Sequence, residues 1–306
     1  MSFRSGFVSP LTLIGTLCLF LWTSLSAVAQ ERDFSAVEIK THKITDTIYM
    51  LEGAGGNIGM SAGEDGVFLI DDQFAPLTDK IVAAIKKVSD KDIRFLINTH
   101  IHPDHTGGNE NFGKQGVIIV GHDNIRSRLQ DSMFGRPPLP DIALPMITFN
   151  DTVTFHINGE AVRALKLPNS HTDGDTLIHF QGSDVIHVGD VFRTTTYPYI
   201  DKAHGGSFQG TLDALAILIE MAGPSTKIIP GHGDIADREM AETFRNMLVT
   251  IKDRMMEQVQ QGKTLQEVMT ANITEDYDER WAPKPGSFFS KESFISLVYA
   301  ELKAAQ

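Results

Sequence analysis

Three histidines and an aspartate fall within six positions, His100-Ile-His102-Pro-Asp104-His105, at the end of the apolar run Phe95-Leu96-Ile97. Successive side chains on an extended segment point to opposite faces, so His100 and His102 project together. Pro103 then fixes φ and turns the chain, which aims Asp104 and His105 at a second point nearby. Imidazole nitrogens and carboxylate oxygens are the donors that a borderline-soft divalent metal takes. The chemistry implied is two adjacent metal positions served from one loop. A lone histidine at a strand end is ordinarily a satisfied polar residue. Four clustered donors are different, because all of them must find partners in a partly buried place.

Three further windows repeat the pattern of a donor beside glycine, proline or serine after an apolar run. They are Asn169-Ser170-His171-Thr172, Val188-Gly189-Asp190 and Pro230-Gly231-His232-Gly233. Glycine lets backbone crowd close to a ligand set. Asp71-Asp72, closing another apolar run, is placed to support a metal histidine from behind. His204, and the rings of Tyr197, Tyr199 and Phe208 in the same loop region, are candidates for approach to a substrate, with packing as the alternative for the rings. His42, His122, His156, His179 and His187 read as ordinary residues, the last three at the core edge or in solvent.

The elements that must position these donors alternate. Strands are expected within Val37 to Glu52, over Ile58 to Ala62 and Val67 to Ile70 as a hairpin, and over Ile93 to Asn98 and Val117 to Val120. Further hairpins are expected from Val153 to His156 with Ala161 to Leu167, turning at Asn158-Gly159, and from Leu177 to Phe180 with Val185 to Val188. A short strand follows at Lys227 to Ile229. Helices are expected at Thr78 to Ser89, Asn109 to Phe112, His122 to Asp131, Thr211 to Met221, Asp237 to Gln260, Thr264 to Met269 and Lys291 to Ala304. Ser132 to Met146, with four prolines, reads as a long loop. The alternation argues an α/β layered fold. Residues 30–306 read as a single domain with a helical C-terminal end.

The chain has 306 residues, 42% of them hydrophobic, and a formal net charge of −12. That charge disfavours nucleic acid and anionic membrane surfaces as partners. Residues 1–29 read as a cleavable signal peptide: Arg4, an apolar stretch from Leu11 to Leu25, then Ala27-Val28-Ala29 before Gln30. The mature chain would be periplasmic or secreted. The single cysteine, Cys18, lies in that leader, so thiolate ligands, thiol nucleophiles and disulfides are excluded from the mature chain.

Across roughly Ile44 to Ile235, the run from Thr99 to Gly108, Ser170-His171-Thr172, Gly189-Asp190 and Pro230 to Gly233 together resemble the metallo-β-lactamase superfamily. The resemblance implies a four-layer αβ/βα sandwich of two mixed β-sheets flanked by helices, with the site at one edge. It implies that His100, His102 and His171 hold one metal, that Asp104, His105 and His232 hold a second, and that Asp190 bridges them. Two zinc ions per chain are the default, with iron or manganese open, and Asp104 is the expected catalytic residue. The implied activity is hydrolysis of a small lactam or ester by a metal-activated water. Aspartate at 190, where the β-lactamases proper carry cysteine or serine, looks more like the glyoxalase II and lactonase branches, which cleave thioesters and lactones. An iron-dependent persulfide dioxygenase and a non-catalytic metal-binding scaffold are the remaining alternatives.

Overall fold

Strand side chains alternate between two faces, and here each face meets a separate core. The computed structural model describes residues 1–2 and 33–306, and Phe34–Gln306 cluster as one unit. The leader expected over residues 1–29 falls, from residue 3 onward, outside the described residues.

The first sheet runs in order β1 (Lys40–Lys43), β2 (Ile48–Glu52), β3 (Ile58–Gly63), β4 (Gly66–Ile70), β5 (Ile93–Ile97), β6 (Ile118–His122) and β7 (Ile147–Phe149). Its first four strands are antiparallel and its last four, sharing β4, are parallel. The second sheet contains β8 (Thr152–Ile157), β9 (Glu160–Lys166), β10 (Thr176–Phe180), β11 (Val185–His187) and β12 (Lys227–Ile229), in the spatial order β12-β11-β10-β9-β8. Only β11 and β12 pair in parallel there. Helices α1 (Thr78–Lys86), α2 (Pro103–Thr106), α3 (Asn109–Lys114) and α4 (Asp123–Leu129) belong to the first half. Helices α5 (Phe208–Met221), α6 (Arg238–Gln260), α7 (Leu265–Thr270), α8 (Glu275–Trp281) and α9 (Lys291–Ala304) belong to the second.

The period-2 pattern sorts the layers. In β4, Phe68 and Ile70 join Ile97, Val120, Val162, Ile178 and Val185 in a core between the sheets. Val67 and Leu69, on the opposite face, pack with Ile81, Ile85 and Phe112 from α1 and α3. In the second sheet, Leu177 and Ile186 turn away from the shared core toward Leu215, Phe244, Leu248 and Val298. Those residues lie on α5, α6 and α9, where apolar positions recur at helical spacing. Helix, sheet, sheet, helix is the four-layer sandwich expected.

The differences are local. A three-residue strand, β7, extends the first sheet directly after the long loop. Helix α5 begins at Phe208, three residues early, because the Ser207 hydroxyl accepts the Gly210 amide as an N-cap. Helix α8 was not expected; its sequence Glu-Asp-Tyr-Asp-Glu-Arg-Trp is mostly charged, and only Trp281 of it is buried.

Candidate metal centre

Every donor singled out from the sequence stands just past the C-terminal end of a strand. His100, His102, Asp104 and His105 follow β5, His171 follows β9, Asp190 follows β11 and His232 follows β12. Tight connections there leave the side chains converging on one edge. The turn at Pro103 is a single helical turn, α2, with His102 as its N-cap residue. Donor atoms of His100, His102 and His171 lie within 4.8 Å of one another, as do those of Asp104, His105 and His232. Asp190 spans the two groups. Its Oδ1 is 3.2 Å from His105 Nε2 and 3.3 Å from His232 Nε2, and its Oδ2 is 3.7 Å from His171 Nε2. The structure therefore brings all seven residues together.

Their outward partners assign the tautomers. Asp71 Oδ2 lies 2.7 Å from both His105 Nδ1 and the Thr99 hydroxyl. The hydroxyl donates to that carboxylate, so it accepts from His100 Nδ1 at 2.9 Å. His102 Nε2 donates to Asp201 Oδ2 at 2.9 Å, and His171 Nδ1 donates to the Tyr199 carbonyl at 2.6 Å. Each imidazole thus turns its remaining nitrogen inward. His171 Nε2 and His102 Nδ1 face one another at 2.7 Å, two lone pairs that only an intervening proton or cation reconciles. His100 Nε2, His105 Nε2 and Asp190 Oδ1 are buried without a hydrogen bond. Buried polar atoms are seldom left so. Three orphaned atoms converging here fit a metal centre.

Charge points the same way. Burial, reinforced by neighbouring imidazoles, pushes His100 well below its ordinary pKa, and burial brings His171 down to about 3. Both are neutral, as ligands must be. Burial works against charge at His105 and Asp190 as well. At His105 the carboxylates of Asp71, Asp190 and Asp104 outweigh it and raise the imidazole. At Asp190 the nearby cationic groups win and hold the carboxyl ionised. A divalent cation is the natural partner for that collection of carboxylates.

Close approach depends on glycine. A Cβ at Gly56 would overlap the imidazole of His105, and one at Gly231 would overlap Asp190 Oδ1. Four supporting residues escaped sequence reasoning. Asn57 ties the sheets together through Nδ2, which donates to the carbonyls of Pro230 at 2.9 Å and Gly233 at 2.8 Å. Asp201 backs His102 and also accepts from His204 Nδ1 at 2.6 Å. Thr99 relays Asp71 to His100. Buried Arg193 donates to Asp190 Oδ2 at 3.0 Å. For Asp201 the signal was an acidic residue in the loop after Asp190; for Asn57, an amide inside a glycine turn.

Other expectations change. Tyr197 and Phe208 are fully buried in the helical core and line no site. Tyr199 does reach it, with its ring 5.8 Å from those of His102 and His171. His204 meets the donor cluster through Asp201, to which its Nδ1 donates. His187, expected at the core edge or in solvent, is wholly buried and bonded to the Asn57 carbonyl and the Gly189 amide. His42 pairs with Glu52 at the surface, and His122 caps α4.

Known proteins agree with this architecture. Residues 52–232 match the family described as the metallo-beta-lactamase superfamily. A linear primary-alkylsulfatase of Pseudomonas sp. is 22% identical over 256 residues, 69% of this chain and 48% of that protein. A hydroxyacylglutathione hydrolase of Pelagibacter ubique is 26% identical over 154 residues, 48% of this chain and 56% of that protein. The chain thus spans about half the length of these curated relatives. A solved metallo-beta-lactamase from Pontibacter korlensis superposes with a TM-score of 0.60 at 18% identity, covering 69% of this chain and 99% of that one. A double mutant of a sec-alkyl sulfatase also gives 0.60, at 16% identity, over 76% of this chain and 45% of its own. With the family matched over most of the chain and the fold shared, this chain belongs to the metallo-beta-lactamase superfamily.

Proposed function

We propose that the chain is an exported di-zinc hydrolase that cleaves a lactam or ester bond of a small substrate. One observation carries the reading: the inward nitrogens of buried imidazoles and the carboxylates of Asp104 and Asp190 converge on two adjacent points. Nitrogen and oxygen donors with an imidazole majority suit zinc, with iron and manganese as the metals to test against it. Zinc bound there would supply Lewis acidity, lowering the pKa of water and drawing charge from the scissile bond.

The chain's own residues do the rest. His100, His102 and His171 would hold one ion, Asp104, His105 and His232 the other, and Asp190 would reach both. Asp71 behind His105 and Asp201 behind His102 keep those rings from rotating. Asp104 and His232 are the most open of the set, with side chains 27% and 24% exposed, so substrate and water enter on their side. Asp104, ionised there, is placed to orient a water and carry its proton toward the leaving atom.

A second reading, cleavage of a thioester, lactone or sulfate ester, is favoured by aspartate at 190 and by the activities in the relatives' names. A persulfide dioxygenase would leave Asp104, His105 and His232 without a ligand role, although they form a group of their own.

Zinc-loaded protein tested on a chromogenic β-lactam, para-nitrophenyl acetate, a glutathione thioester and an alkyl sulfate decides among these, with His171→Ala as the blank. Chelator-sensitive turnover of one of them, absent from the variant, is expected. Less than about one metal per chain with no activity restored by zinc would overturn the proposal. Export is tested separately, by the mass of the N-terminus of secreted or periplasmic protein, expected to begin at Gln30.

A further inference from the structure

Two large apolar side chains remain in water beside the metal centre, from segments far apart in sequence. Phe134, in the loop after α4, is 41% exposed, and Phe288, just before α9, is 73% exposed. The Phe134 ring centroid is 5.2 Å from that of His102 and 4.7 Å from that of His204. Phe288 stands edge-on to Tyr199 at 4.8 Å, and Tyr199 reaches His102 and His171. Apolar surface left in water at the rim of a polar donor cluster offers a place for the apolar part of a ligand.

The backbone at Phe134 adds an independent observation. Met133 and Arg136 bond each other through both backbone pairs, at 3.1 and 2.8 Å, closing a two-residue turn. Phe134 sits in it at φ 53° and Gly135 at φ 71°. Both central residues are left-handed, a turn that favours asparagine before glycine. A phenylalanine there is strained, and the turn sets its ring against His102 at the rim of the donor cluster. Behind it, a cavity of about 70 Å³ is lined by Ile101, Leu129, Met133, Phe134 and Leu139 among others.

We propose that Phe134, Phe288 and Tyr199 form the binding wall for an alkyl or aryl group of the substrate, held beside the bond that is cleaved. This rests on the hydrolase reading and adds the substrate's class to it: an acyl compound with an apolar tail. A half-covered wall supplies about half the effect of full burial, or about twofold in affinity per methylene.

The test is calorimetric titration of zinc-loaded protein with acetohydroxamate and octanohydroxamate, which chelate through one head and differ only in the tail. Six added methylenes give about 60-fold tighter binding to the wild type. In the double variant Phe134→Asn and Phe288→Ser that ratio falls below about fivefold, with acetohydroxamate affinity within about twofold of wild type. Phe134→Asn suits the turn, so the thermal midpoint should hold or rise, which separates binding from folding. A wild-type ratio near unity, or a ratio unchanged in the double variant, overturns the proposal. Para-nitrophenyl acetate and octanoate run in parallel distinguish the failures. Hydrolysis of both at equal efficiency removes the wall and leaves the hydrolase, whereas tail-dependent hydroxamate binding without turnover of either ester does the reverse.

Discussion

Asp201→Asn should weaken one metal position and spare the other. Asp201 is 4% exposed and gathers three donors: His102 Nε2 at 2.9 Å, His204 Nδ1 at 2.6 Å and the His204 amide at 3.1 Å. Burial alone would favour its neutral form, yet the bonds from His102 and His204 hold its carboxyl below the ordinary value. It is therefore an ionised acceptor that holds the His102 ring by Nε2 and keeps Nδ1 turned toward His171. Asparagine keeps the shape and loses the charge. Outer partners of metal histidines are worth about 10–100-fold in affinity, or about 1.4–2.7 kcal/mol. The loss should fall on the position served by His100, His102 and His171. The position served by Asp104, His105 and His232 has Asp71 behind it and should keep its affinity. Competition against a zinc-chelating dye, read as two successive dissociation constants, measures both. Equal weakening of the two positions, or no weakening of either, would refute the idea that Asp201 supports the His102 side alone.

Three other outcomes follow from the same structure. Gly56→Ala should fold but lose the second metal, because its methyl group would displace the His105 ring; elemental analysis should find about one equivalent instead of two. Glu301, on α9, is disfavoured by burial but accepts the amides of Gln209 and Phe208 at the start of α5 and pairs with Lys202, which together hold its carboxyl below the ordinary value. Its stabilisation is therefore present above the ordinary carboxylate pKa and lost as pH falls through the lowered one. Glu301→Gln should cost about 1 kcal/mol in urea melts at neutral pH, with the difference shrinking toward zero in acid. Phe244→Ala removes a fully buried ring packed on Phe192 at 5.3 Å and Trp281 at 5.0 Å. It should destabilise by about 3–5 kcal/mol, leaving metal stoichiometry unchanged in whatever protein remains folded.

The donors were legible because each lies in a short window where an apolar strand ends in glycine, proline or serine. Local sequence thus records both the residue and the element that aims it. Strands β4, β5, β10 and β11 carry apolar residues on both faces, as strands covered on both sides must. Layering was legible from the alternation of strands and helices, and the four-layer arrangement from the family resemblance. The supporting residues were not, since their partners are remote. Asn57 bonds a loop 173 positions away, and Asp201 a histidine 99 positions away. No local pattern distinguishes such an asparagine from an ordinary turn residue. Tyr197 and Phe208 misled because an aromatic in a loop near Asp190 reads alike whether it faces a site or a core. The α9 side chain Phe294 decides it, lying 4.9 Å from Tyr197 and 6.1 Å from Phe208. Helix α8 lacked an apolar stripe to announce it.

The sandwich is fastened at its two ends by different means. At one end the turn residue Asn158 of β8–β9 bonds Ser61, Asp65 and Gly66 of β3–β4, a clasp of ordinary hydrogen bonds. At the other, four of the seven donors hang from the first sheet and three from the second, with the bonds of Asn57 and the His102–Asp201 pair among those that cross. A cation held there is a rivet between two slabs. Its binding free energy adds directly to the resistance of the slabs to parting. Chelation should then loosen this end while the Asn158 clasp holds, so that amide exchange quickens first around Gly231 and Asn57. Substitutions at the donors would be seen in a cell as shortened lifetime as well as lost turnover, and abundance would track the supply of metal.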